Sequence, residues 1–260
     1  MDERVALVTG AGQGVGRAIA LALARQGAKI VIVNDYVEER ARRVAEEVAA
    51  MDIGVQGVPY QANVSLWTDV TRMIDDVGSK FGSVDVLVNN AGNAGQTVED
   101  VIGWSREFVE TDPDHWRAWV DVNFLAPMYM TRAVLPHMIR HEWGRIINVI
   151  SEAGRVGEPR LVVYSGAKAG TAGFSRALAK EVGRYRITVN CVALGTIDTP
   201  SVSSVVGDAT LLKKMSARYP LKRIGQPEDV SGLVAFLASD NASWITGQTY
   251  GVNGGYATLP

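Results

Sequence analysis

Short apolar runs alternate with longer stretches of helical periodicity along almost the whole chain. That alternation limits the fold more than any other feature. Val5-Ala6-Leu7-Val8, Lys29 to Asp35, Val55 to Gln61, Val84 to Val88, Arg145 to Ile150, Ile187 to Ala193 and Gln248 to Val252 read as strands. Between them lies a helix that puts Ala18, Ile19, Ala22 and Leu23 on one face and stops at Gly27. Further helices read over Val37 to Met51, Leu66 to Phe81, Pro113 to Val120, Asn123 to Arg140, Val163 to Val182 and Pro227 to Ser239. Strands separated by helix-length connections pair in parallel, and near-continuous apolar strands need cover on both faces. Right-handed crossovers then give an α/β fold, a doubly wound parallel sheet of Rossmann type with helices on both faces. No Pro/Gly/Ser linker or internal repeat divides residues 1–260, so one domain is expected.

The charge and cysteine content narrow the function. A formal charge of -2 gives no broad field for nucleic acid or anionic lipid, so neither is an expected partner. The one cysteine, Cys191, allows no intrachain disulfide, which fits a reducing compartment; its apolar surroundings predict a buried thiol. The start Met1-Asp2-Glu3-Arg4 has no signal-peptide pattern, and no apolar run has the length of a membrane helix. A cytoplasmic location is the expectation.

Three clusters carry chemistry. The first is Thr9-Gly10-Ala11-Gly12-Gln13-Gly14-Val15-Gly16, between the first strand and the first helix. Glycines there let backbone N–H groups approach a pyrophosphate at the positive end of a helix. The spacing is T-G-x-x-x-G-x-G, not the usual G-x-G-x-x-G. The second is Asp35, at the end of strand two and 19 residues after Gly16. A carboxylate there accepts both hydroxyls of an adenosine ribose and repels a 2′-phosphate. Tyr36 follows it and Gln13 is uncharged, so no cation stands ready for that phosphate and NAD is the expected cofactor over NADP. Asn89-Asn90-Ala91-Gly92 closes the fourth strand, where small and amide residues suit a ligand crevice.

The third cluster is Tyr164-Ser165-Gly166-Ala167-Lys168. Of the eight tyrosines, only Tyr164 has a Lys four positions later. On a helix the two share a face, about one turn apart. An ammonium beside a phenol favours the phenolate, so Lys168 is expected to lower the Tyr164 pKa and make the pair a general acid/base.

With these motifs in order, the chain resembles the short-chain dehydrogenase/reductase family from about residue 4 to residue 256. The resemblance implies that Gly10, Gly12, Gln13, Gly14, Val15 and Gly16 hold the cofactor pyrophosphate and that Asp35 and Tyr36 meet its adenosine ribose. It extends the cofactor site to Asn63, Val64, Asn90, Ala91, Gly92, Tyr164, Lys168, Gly195, Ile197 and Thr199. It also implies a catalytic group of Asn123, Ser151, Tyr164 and Lys168. Tyr164 exchanges a proton with a carbinol oxygen, Ser151 holds that oxygen, Lys168 also holds the nicotinamide ribose, and Asn123 orders a water leading to solvent. Relatives are commonly homotetramers, joined through the two long helices and the C-terminal strand region, so a homotetramer is expected.

Four departures from the family pattern stand out. Asn63 replaces an Asp near adenine, Leu194 replaces a Pro before Gly195, and Glu152 follows the catalytic Ser where a small residue is common and could sit near substrate. An extended segment, Gly95 to Thr111 with Trp104 and Phe108, reads as a flap or an added subunit contact.

The substrate is expected to be a small molecule. The loop of about 198–222 is apolar through Val202, Val205, Val206, Leu211, Leu212 and Met215, which suits an acyl substrate. Arg155 and Arg160 near the mouth, with Lys213 and Lys214 in the loop, suit the phosphates of coenzyme A or an acyl-carrier arm. The expected activity is NAD(H)-dependent interconversion of a secondary alcohol and a ketone, on a 3-oxoacyl or cyclic acyl thioester. A hydroxysteroid or other alicyclic alcohol dehydrogenase and a non-catalytic dinucleotide-binding scaffold are the alternatives. His137 and His141, four apart on a helix, lack a third ligand and read as a surface pair, so no metal is expected.

Overall fold

The structure is a computed structural model that describes residues 3–92, 107–202 and 206–259. Seven parallel strands form one sheet: β1 (Val5–Val8), β2 (Ile30–Asp35), β3 (Gln56–Gln61), β4 (Val86–Asn89), β5 (Gly144–Ser151), β6 (Ile187–Leu194) and β7 (Thr249–Val252). Their spatial order is β3-β2-β1-β4-β5-β6-β7. Chain direction across the sheet reverses between β1 and β4, and ligands of such sheets lie beyond the strand ends at that point.

The helices are α1 (Gly14–Arg25), α2 (Glu38–Ala49), α3 (Trp67–Phe81), α4 (Pro113–Val120), α5 (Ala126–His141), the one-turn α6 (Ala153–Val156), α7 (Val162–Val182), α8 (Ala209–Ser216) and α9 (Pro227–Ala238). Side chains alternate across a strand, so the sheet feeds two cores. Val8, Val33, Val88 and Val192 pack on the side of α1, α2 and α9, while Leu7, Ile32, Leu87 and Val189 pack on the side of α3, α5 and α7. Ile32 and Leu87 are fully buried, and truncating either to Ala costs about 2–5 kcal/mol. The edge strands β3 and β7 are only partly buried, as expected without a neighbour on one side.

The expected alternation is present, with ends shifted by a residue or two. One boundary differs in kind. The helix expected to start at Asn123 begins as a π-helical turn, Asp121–Leu125, that joins α4 to α5. The Asn123 carbonyl accepts from the Thr171 hydroxyl of α7 at 2.9 Å, which pulls it toward α7. Insertions into the helical ladder of this kind recur at functional sites. The expected substrate loop also carries more order than its composition suggested: α8 forms within it, started by Asp208, whose side chain accepts from Thr210 N and Leu211 N. Residues 95–106 of the extended segment, with Trp104, and Val205 of the loop lie outside the described residues. Phe108 stacks on Trp116 with ring centroids 4.9 Å apart.

Candidate active site

The glycine-rich loop is packed too tightly for side chains at Gly10, Gly12 and Gly16. A Cβ on Gly16 would lie 2.3 Å from the Gly10 carbonyl oxygen, and one on Gly12 would lie 2.6 Å from Asp35 Oδ2. Gly14 has a φ of +55°, a region that favours glycine. Behind the loop, Asn90 Nδ2 donates to the carbonyls of Thr9 and Gly10 at 2.9 and 3.1 Å. The Thr9 hydroxyl accepts from the N–H groups of Asn90 and Ala91. The first turn of α1 has no side-chain cap and no acidic residue. Its N–H groups therefore keep the capacity to hold an anion. This cradle fits a dinucleotide pyrophosphate.

Asp35 is buried. Its Oδ2 accepts from Gly12 N and its Oδ1 from Val37 N, both at 3.0 Å, which fixes the carboxylate beside the loop. Each oxygen keeps acceptor capacity for a ribose hydroxyl. The expectation that no cation stands nearby needs correction. The Arg43 guanidinium on α2 donates to the Gly12 carbonyl at 3.2 Å, and Arg40 lies over the exposed Tyr36 ring. Asn63 turns its side-chain oxygen to Ser65 N, and the Val64 side chain is in the core, which leaves the backbone of Val64 for any ligand.

Beyond the ends of β4, β5 and β6 lies a cavity of about 440 Å³. Val15 and Asn90 line it on the nucleotide side and Ser151, Tyr164 and Lys168 at its chemical end; Gly92, Gly195, Ile197 and Thr199 also reach it. Ser151 ends β5, and its Oγ accepts from Ala153 N at 3.1 Å. Lys168 is buried and donates from Nζ to the Val149 carbonyl at 3.1 Å. A Cβ on Gly92 would lie 3.0 Å from Asn123 Oδ1 and 3.1 Å from Lys168 Nζ, so glycine there leaves room for both groups. Asn123 is fully buried and donates from Nδ2 to the Trp119 carbonyl at 2.9 Å. The structure thus brings Ser151, Tyr164 and Lys168 to one cavity, with Asn123 buried outside its lining.

The electrostatics depart from expectation. Burial, which disfavours the phenolate, pushes the Tyr164 hydroxyl above its ordinary range, and a hydrogen bond with Ser151 only partly offsets this. The Lys168 ammonium lies 5.7 Å from the ring centre and donates to the Val149 carbonyl, so it does not overcome that burial. Burial also lowers Lys168 itself to about 8, with a partial offset from Cys191. The expected acidification of Tyr164 is therefore not a property of this arrangement of side chains.

The substrate side holds further corrections. Glu152 is buried, with Oε1 accepting from Arg155 at 3.0 Å and from Asn253 Nδ2 at 2.9 Å. Its Oε2 has no hydrogen-bond partner among the described residues. Arg155 is thereby turned inward, and Lys213 and Lys214 are exposed on α8. Among the described residues, the other cation that lines the cavity, besides Lys168, is Arg218, which the sequence did not single out. It donates to Glu158 at 2.8 Å and to the Tyr256 hydroxyl at 2.7 Å, and that hydroxyl donates to Glu158 Oε2. Leu194 continues β6 in register with Ser151 and Val252, where a proline would have removed a donor. Cys191 is buried, and burial raises its thiol. The His137 and His141 rings are engaged on their own helix, with Arg140 and the His137 carbonyl. No helix among the described residues is long and apolar enough to cross a membrane.

Residues 10–257 match a family model described as Enoyl-(Acyl carrier protein) reductase. The chain is 40% identical to a 3-oxoacyl-[acyl-carrier-protein] reductase of Staphylococcus epidermidis over 97% of its length and 98% of the relative's. It is 40% identical to one from Synechocystis, covering 98% and 97% of the two chains. A third, from Thermotoga maritima, is 35% identical over 98% of each. On its sheet, its glycine loop and these relatives, the chain belongs to the short-chain dehydrogenase/reductase family of oxidoreductases.

Proposed function

We propose that this protein interconverts a 3-oxoacyl thioester and its 3-hydroxy form, with NAD(H) as cofactor. The observation that carries the reading is the meeting of the Ser151 and Tyr164 hydroxyls and the Lys168 ammonium in one cavity that adjoins the glycine loop. A nicotinamide dinucleotide bound along that loop supplies the hydride in reduction and accepts it in oxidation. In reduction, Tyr164 gives its phenolic proton to the carbonyl oxygen as the carbonyl carbon gains hydride. Ser151 donates a hydrogen bond to the same oxygen and stabilises the charge that develops there. Lys168, buried behind the phenol, returns the proton, and Asn123 orders the water through which solvent resupplies it. A phenol held protonated through neutral pH suits the reductive direction.

The three relatives are named for 3-oxoacyl reduction, and apolar walls such as Val202 and Met215 suit an acyl chain. The family description favours a second reading, reduction of an enoyl thioester. NAD(H) is preferred on Asp35: a carboxylate fixed beside the loop repels a 2′-phosphate, although Arg43 softens that repulsion.

The test is cofactor oxidation with 3-oxoacyl, 2-enoyl and steroid ketone substrates, each with NADH and NADPH. The reading expects turnover of the 3-oxoacyl thioester with NADH preferred. Asp35→Ala should narrow the preference about tenfold, or roughly 1.4 kcal/mol. Turnover of another class alone would replace the substrate. Cofactor binding with no turnover of any would favour a scaffold.

A further inference from the structure

Trp119 is the penultimate residue of α4, immediately before the π-helical turn that carries Asn123. Its carbonyl is held by the Asn123 amide at 2.9 Å, so one turn of chain positions both the indole and the buried amide. The indole stands edge-on to the Tyr164 ring, with centroids 5.7 Å apart and planes at 76°. Trp119 also lines the cavity that Ser151, Tyr164 and Lys168 share.

The Tyr164 hydroxyl must come within hydrogen-bond reach of the substrate oxygen to exchange a proton. The two substituents of the carbonyl carbon then point along two different walls of the cavity. One wall beside the phenol is a bicyclic ring with few rotatable bonds, pinned by its contact with Tyr164. It cannot retreat as a Leu or Met side chain can. The remaining walls include Met215 and Val202, half-buried side chains of the segment that follows β6.

We propose that Trp119 is the specificity-determining wall of this site. It admits only a small, unbranched substituent on its side of the reacting carbonyl. By fixing which substituent lies there, it fixes which face of the carbonyl meets the hydride and hence which alcohol enantiomer forms. This inference rests on the proposed carbonyl chemistry at Tyr164 and deepens it.

The test compares wild type, Trp119→Ala and Trp119→Phe on two N-acetylcysteamine thioesters, 3-oxobutanoyl and its 4,4-dimethyl-3-oxopentanoyl analogue. Trp119→Ala should raise the ratio of kcat/KM for the branched over the linear substrate by about tenfold or more, the scale on which pockets discriminate single alkyl groups. Its product should lose enantiomeric purity. Trp119→Phe should stay near wild type in both. If Trp119→Ala melts below the assay temperature, Trp119→Leu carries the same comparison. An unchanged ratio and unchanged enantiomeric purity, with both substrates slowed alike, would make Trp119 a structural residue and overturn the inference alone. A wild type that reduces neither thioester would overturn the proposed reaction and this inference together.

Discussion

The nucleotide side and the substrate side of the cleft are held by different kinds of contact. On the nucleotide side the partners are mostly backbone. Asn90 bonds the carbonyls of Thr9 and Gly10, Asp35 takes the N–H groups of Gly12 and Val37, and Gly16 packs against the Gly10 carbonyl. On the substrate side the contacts join side chains from distant segments. Arg218 meets Glu158 and Tyr256, and Glu152 meets Arg155 and Asn253. Backbone contacts fix a shape that suits one ligand and tolerate no added atom. Side-chain contacts near solvent can be exchanged singly, so the substrate side can vary while the nucleotide side stays fixed.

Gly16→Ala should have the largest effect, because its Cβ has nowhere to go. The loop must open, and dinucleotide affinity should fall by at least about tenfold, roughly 1.4 kcal/mol or more, together with a lower Tm. Calorimetric titration with NADH and thermal melting measure both. A variant with wild-type affinity would show that the loop is looser than its contacts imply.

Lys168→Met separates function from stability. The folded chain releases the Lys168 proton at about 8, whereas the unfolded chain keeps it to the ordinary value of 10.5. The unfolded state therefore binds more protons between those values, and stability from this group rises with pH across that window. Below pH 8 the buried charge is a cost that methionine removes. At pH 7 the variant should be more stable by about 1–3 kcal/mol, with turnover reduced about 100-fold or more. The stability gain should shrink toward pH 10. Melting curves across pH check this, and a lower Tm at pH 7 would mean the site stabilises the ammonium.

Arg218→Gln should be the mildest. The pair with Glu158 is part-exposed, with side-chain exposures of 47% and 23%, and such pairs contribute about 0.2–1 kcal/mol. KM for an acyl thioester should rise about two- to threefold, with Tm nearly unchanged. A tenfold rise in KM would show that Arg218 contacts substrate directly.

The same contrast explains how far the sequence could be read. The strands and the glycine loop follow from local pattern, because apolar runs and glycine spacing encode them directly. The π-helical turn at Asn123 escapes notice, because one inserted residue hardly alters a helical periodicity running from Pro113 to His141. Arg43, Arg218 and Trp119 escape for another reason: each acts on a partner far away in sequence. Arg43 meets Gly12, Arg218 meets Glu158 and Trp119 meets Tyr164. The Tyr164–Lys168 spacing was legible, but the phenol's acidity was not, since burial and the hydrogen bond with Ser151 decide it.

The central claim is tested most directly by the rate of NADH oxidation with saturating 3-oxoacyl thioester for wild type and Tyr164→Phe, with NADH affinity measured on both. Loss of the phenolic proton should lower kcat by about 100- to 10,000-fold and leave NADH binding nearly unchanged. Full turnover by Tyr164→Phe would contradict the account.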